Sequence, residues 1–298
     1  MHRIGYTDQG QQFVPLLEIP TSLEEMDGDT FIFFCGLCEK INEGAVSLQQ
    51  AAVSLALELL GELPATYNDK AKENVAFVAQ QLEPLFSGEL EKRINPVRSL
   101  RCGDRKVHSL GYGFFDATAG QYLNIVTAIH RFYREKEAVD SLRKALQEGT
   151  APPDVTGDAL SARYTRAMEE VIAALYPTRH EKVAASARRR IASLPAVTKG
   201  HLVSYAIASH VYLATGTFHF YSVQACFRDI FGGPAQTDGN KASTPRDADF
   251  ADALSSVAEA GAFGDYQKVL RTNIIIILRY MQKRWREAKN IQEHAKRK

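Results

Sequence analysis

The alternation of apolar and polar positions along the chain is mostly helical in period. Leu48, Ala52, Leu55 and Leu59 form one stripe; Val75, Val78, Leu82 and Leu85 form another; Leu160, Tyr164, Met168, Val171 and Leu175 form a third. Tyr122, Ile125, Val126, Ile129, Tyr133, Val139, Leu142 and Leu146 predict a long helix over about 117–147. Ile274, Ile277, Leu278, Met281, Trp285, Ala288 and Ile291 predict another within 265–295. One segment is different. His201–Phe231 is apolar or aromatic on nearly every side, with no Asp, Glu, Lys or Arg between Leu202 and Cys226. A helix apolar all round is buried all round, so the segment is expected at the centre of the core, as one helix or two. Thr215-Gly216-Thr217 is the expected bend and Gly232-Gly233-Pro234 the stop. The segment is also long enough to span a bilayer, but its His, Tyr, Ser and Thr side chains would need partners in lipid, which favours burial in protein.

Capping signals bound several of these elements. Ser47 with Gln50 reads as a capping box, Asp69 and Asp158 as caps, and Thr178 with Glu181 as a second box. Phe31–Ile41 is too short a run for periodicity to separate helix from strand. Gly5, Gly10, Pro15 and Pro20 exclude a helix from residues 1–28, which read as an extended arm. Its apolar group Phe13, Val14, Leu16, Leu17 and Ile19 needs a dock, on its own core or on a neighbouring copy. Gly149–Gly157 reads as a linker and Gly232–Arg246 as a long polar loop. The expectation is therefore an all-α, mainly helical protein: arm 1–28, N-terminal helical lobe 29–149 and C-terminal helical lobe 158–298, around the buried segment 201–231. A single helical domain is the alternative.

Charge changes the picture more than composition does. The net charge of +1 conceals a partition. Residues 1–91 carry fifteen acidic and four basic side chains, net −11, and the remainder is net +12. Lys92, Arg93, Arg98, Arg101, Arg105 and Lys106 face only Asp104 in a stretch whose Asn95-Pro96 and Cys102-Gly103-Asp104 suggest loop. Arg188-Arg189-Arg190 forms a second cluster, and the last helix a third, with Lys283 and Arg286. Tyr112, Phe114 and Phe115 follow the first cluster as a mobile aromatic patch; Tyr280 and Trp285 interleave with the third. Basic side chains with aromatic faces are what single-stranded nucleic acid requires.

Other chemistry is thinner. Cys35-Gly36-Leu37-Cys38 has the spacing of a redox dithiol, which a helix N-terminus would activate. It resembles thioredoxins over these four residues and the apolar run before them, and no βαβ pattern follows. Buried structural cysteines are the simpler account. His201, His210 and His219 recur every nine residues, which on one helix puts successive members on opposite faces. Asp247 and Asp249 sit where a helix start favours acidic residues. No metal site and no cofactor is expected, and no phosphate-loop, dinucleotide or nucleophile-elbow motif is present. Four cysteines in 298 residues are no disulfide framework, and no secretory signal is visible, so a cytoplasmic, reducing setting is expected without a membrane.

The leading expectation is a non-enzymatic, self-assembling protein that binds single-stranded nucleic acid, with RNA favoured, in a nucleoprotein or coat role. Homo-oligomers would form through the arm. Contacts are assigned to Lys92, Arg93, Arg98, Arg101, Arg105, Lys106, Arg188, Arg189, Arg190, Lys283 and Arg286. The alternatives are an intracellular helical interaction scaffold, and a helical enzyme with a buried polar site near His201 and Tyr205 or a Cys35/Cys38 dithiol.

Overall fold

The apolar stripes fall in helices in the computed structural model, which describes residues 2–7, 13–61, 69–88, 90–152, 154–220, 223–231 and 247–296. In chain order, β1 (His2–Thr7) pairs with β2 (Phe13–Ile19), and α1 (Gly28–Asn42), α2 (Leu48–Leu60) and α3 (Asp69–Leu82) follow. Next, β3 (Ser99–Cys102) pairs with β4 (Arg105–His108), ahead of α4 (Ala119–Gln147), α5 (Gly157–Leu175), α6 (Glu181–Ala192) and α7 (Ala196–Thr215). Then β5 (Phe218–Phe220) pairs with β6 (Val223–Ala225), before α8 (Arg228–Phe231), α9 (Asp247–Glu259), α10 (Tyr266–Arg271) and α11 (Ile274–Lys296). The described residues thus hold eleven α-helices and three two-stranded antiparallel sheets, and the fold is mainly α.

Local chemistry sets the ends of these helices. Ser47 and Gln50 form the reciprocal capping box of α2, with Gln50 Oε1 2.8 Å from the Ser47 amide. Thr118 and Gln121 do the same for α4. Asp27 caps α1 by accepting from the Asp29 and Thr30 amides. Such caps contribute about 1 kcal/mol each. Two caps differ from expectation. Thr156, not Asp158, caps α5, so Asp158 is left to the first turn. α6 begins after His180 with no side-chain cap, so Thr178 and Glu181 form no box.

The antiparallel pair α4 and α5, joined through residues 148–156, packs the most extensively among the described elements. Phe132 meets Tyr164 across it, and Arg131–Glu170 and Arg163–Glu135 pair along its rim. α7 crosses α5 and α1, and α6 packs on α5 and on β3. One buried cluster runs from Ile19 through Leu55, Tyr122, Leu175 and Ala206 to Leu278.

Four segments differ from the sequence reading. The central segment is a helix only to Thr215; the expected helix to residue 231 becomes a short hairpin and one turn of helix. The physical reason is a change of period: Phe218 is buried, His219 exposed and Phe220 half-buried, an alternation of two. The basic stretch around Arg101 is a hairpin, not a loop, with Gly103 at φ +65° supplying the turn. Residues 1–28 hold an antiparallel hairpin followed by a 3-10 turn, and Ile19, Leu23 and Met26 are buried in the shared core. The side chains of Phe13, Val14, Leu16 and Leu17 lie outside the described residues, as do the polar loop 232–246, the side chains of Asp247 and Asp249, and residues 297–298. Finally, the expected helix over 265–295 breaks at Thr272-Asn273. There the chain bridges to Thr118, with the Ala119 amide donating to Thr272 O at 2.8 Å.

Candidate nucleic-acid interface

In the hairpin β3–β4, Leu100, Cys102 and Val107 are buried and Arg101 and Lys106 are exposed on the opposite face; Arg105, paired with Cys102 beside the turn, is exposed as well. Register sets Arg101 directly opposite Lys106 on the outer face. Like charges in that arrangement destabilise a strand pair, and an anion lying between them would reverse the sign. Arg98 is exposed just before the hairpin, Lys92 and Arg93 lie in the turn preceding it, and Arg93 reaches Glu91 at 3.5 Å.

α6 brings the second cluster to the first. Ala187 and Ile191 bury one face of α6, which packs on β3. Successive helical residues turn by 100°, so Arg188, Arg189 and Arg190 fan out around the axis. Arg190 is half-buried toward Asp29, 3.9 Å away, and is close enough to bear on the Cys102 thiol. Arg189 is exposed.

Arg188 points the other way, into a cleft of about 1320 Å³ between α4, α5, α6 and the turn after Tyr176. Arg131, Arg166, Arg179, Arg188 and Arg271 line it, with Asn124, Thr127 and Thr178 among the neutral polar groups. Both of its carboxylates are already paired. Glu170 accepts from Arg131 at 3.0 Å. Glu169 accepts from the buried Lys199 at 2.7 Å, and that ammonium also donates to Ala192 O at the end of α6. Arg166, Arg179, Arg188 and Arg271 therefore form no ion pair among the described residues. Four guanidiniums without an ion pair at one cleft have the chemistry that binding of phosphate or another polyvalent anion requires.

The structure thus joins two of the three basic clusters. Lys283 and Arg286 of the third lie on an exposed stretch of α11, which packs on α8 and α4. Arg131, Arg166 and Arg271 fall in none of the three basic clusters: they lie on three different helices, α4, α5 and α10, and only folding collects them. Arg179 carried a faint signal, as part of the basic stretch 179–199.

The aromatic patch is not mobile. Phe114 is fully buried at φ +56°, Tyr112 stacks on Tyr212 with centroids 5.0 Å apart, and Phe115 packs on Phe218 at 4.7 Å. The core needs these rings, so they form no free stacking platform.

The groups of the enzymatic alternatives are engaged differently. Cys35 and Cys38 lie inside α1, not at its N-terminus. Burial pushes the Cys35 thiol up to about 12 and the Cys38 thiol to about 11, opposite to what an attacking thiolate needs. His201 Nε2 lies 2.8 Å from Ile94 O, and Tyr205 donates to Leu110 O at 3.3 Å. Both are tied to backbone carbonyls. His210 Nδ1 lies 2.9 Å from Tyr122 Oη in the core, and His219 is exposed on the hairpin β5–β6. Among the described residues no three His, Cys, Asp or Glu side chains gather as for a metal, and no helix is long and apolar enough to cross a membrane.

Set against protein-family models, curated proteins and solved structures, the chain matches none of them. Geometry therefore carries the functional reading.

Proposed function

We propose that the protein binds single-stranded nucleic acid, RNA favoured, as a non-enzymatic nucleoprotein or coat component. One observation supports this above the others: basic clusters more than eighty residues apart in sequence meet on β3–β4 and α6, and α6 also walls the arginine cleft. The surface runs from Arg98, Arg101 and Lys106 over Arg189 to Arg188, Arg179 and Arg166. At about 1320 Å³ the cleft exceeds the roughly 300–1,000 Å³ of small-molecule sites, which favours an extended ligand. Asn124, Thr127 and Thr178 offer hydrogen bonds that a ribose 2′-hydroxyl could take up, which favours RNA over DNA. Self-association completes the reading. The four free cysteines suit a reducing compartment such as the cytoplasm.

The test is the salt dependence of binding to a fluorescently labelled single-stranded RNA. Each phosphate contact contributes about 0.7 to the log–log slope for a single strand. Arg101→Ala with Arg105→Ala should flatten the slope by roughly 1.4, and so should Arg166→Ala with Arg179→Ala. Slopes equal to wild type in both variants would remove the assignment.

A further inference from the structure

Helix α11 outruns the body of the molecule. Its first turns carry Ile274, Ile277 and Leu278 into the core and Met281 to its edge. From residue 283 to residue 294 every position is exposed, a length of about 18 Å at 1.5 Å per residue. The apolar stripe does not stop where burial stops. It continues at helical spacing through Trp285 and Ala288 to Ile291, with Trp285 41% and Ile291 70% exposed. A helix of that length is marginal in water without packing on one face, and a stripe that runs off the core is a face built for another surface.

Charge indicates what that surface is. The projecting stretch carries Lys283, Arg284, Arg286 and Lys289 ahead of a basic tail, and Glu287 is shared between Lys283 and Arg284 at 3.9 Å each. The complementary region belongs to the same chain: residues 24–91 hold thirteen acidic and three basic side chains. Large apolar side chains also stand exposed there on α2 and α3, namely Leu48 at 44%, Leu60 at 36% and Phe77 at 54%. Glu58 and Glu73 are exposed on the same two helices.

We propose that the projecting part of α11 docks on the acidic α2–α3 face of a second copy of this chain. Trp285 and Ile291 supply the apolar contact against Phe77, and the flanking cations face Glu73, one turn earlier on the same side of α3. The two surfaces are different, so the contact is heterologous. Each copy presents both halves, and association continues into a ring or an open filament. The inference goes beyond strand binding and does not depend on it, because it needs no nucleic acid.

Sedimentation velocity on full-length, nuclease-treated protein tests it. Wild type should grow in mass with concentration and shrink as salt rises, since exposed charges are screened within about 10 Å at 0.1 M. Trp285→Glu with Ile291→Glu disables one surface, and Phe77→Arg disables the other. Each variant alone should sediment as a monomer. An equimolar mixture should form a 1:1 dimer and no larger species, because each partner keeps one intact half. Far-UV circular dichroism and the thermal midpoint should stay at wild type, as the altered side chains are exposed. A wild type that stays monomeric, variants that assemble like wild type, or a mixture that stays monomeric would each overturn the docking. Single-stranded RNA binding measured on the same samples reports separately on the strand-binding surface.

Discussion

His210 shows how one side chain fixes the behaviour of the core in acid. It sits against Tyr122 and Phe231 in the interior, and burial, with His130 nearby, holds its imidazole down to about 4. Burial also lowers His201. A histidine depressed in the folded state is more readily protonated when unfolded. Stability is therefore complete above the unfolded value near 6.5 and falls as pH drops toward 4. At pH 5 the deficit from His210 is about 2 kcal/mol. Urea unfolding at pH 7 and pH 5 should show that difference in wild type, reduced by about that amount in His210→Gln. Equal pH dependence in the two proteins would remove His210 as the source. The sequence carried part of this: the uncharged segment around His210 is expected in the core, but nine-residue spacing says neither which histidine lies deepest nor that Tyr122 is its partner.

At the scale of elements, legibility followed the range of the physics. The Ser47–Gln50 capping box was visible because its reciprocal bonds involve four consecutive residues, whereas Thr178 with Glu181 shows the same pattern and forms no box. Helical stripes were visible because burial repeats every 3.6 residues. The β3–β4 hairpin was not, because its apolar alternation, Leu100, Cys102 and Val107, is interrupted by cations that serve the outer face. The end of the central helix was legible at Thr215-Gly216-Thr217, but the hairpin after it was hidden by composition: the change from a period of 3.6 to a period of 2 leaves the stretch equally apolar. The break before α11 was hidden most deeply, since its cause lies over 150 residues away. Asn273 donates from Nδ2 to Phe115 O at 2.8 Å and accepts from the Ile275 amide at 2.9 Å, pinning the start of α11 to the chain ahead of α4. Asn273→Ala removes a helix cap and a long-range bond together. It should cost about 1–2 kcal/mol in chemical denaturation; a loss within a few tenths of wild type would mean that the backbone bridge alone holds the junction.

In the proposed reading the molecule divides its charge between two tasks: cations on the hairpin, α6 and the cleft for a strand, and those on the projecting half of α11 for the acidic third of a neighbour. The partition into net −11 and net +12 was readable from the chain, but which cations meet was not. Arg131, Arg166, Arg179, Arg188 and Arg271 come from α4, α5, a turn, α6 and the end of α10, and no local pattern predicts their convergence. Strand binding is the central claim, and its most direct test is on the protein as purified: the ratio of absorbance at the nucleic-acid and protein maxima, taken with size-exclusion mass, before and after nuclease and a high-salt wash. A high ratio on a large species that falls on treatment is the predicted result, with single-stranded RNA rebinding at low salt. A protein spectrum unchanged by treatment, together with no binding to single-stranded RNA at low salt, would contradict it.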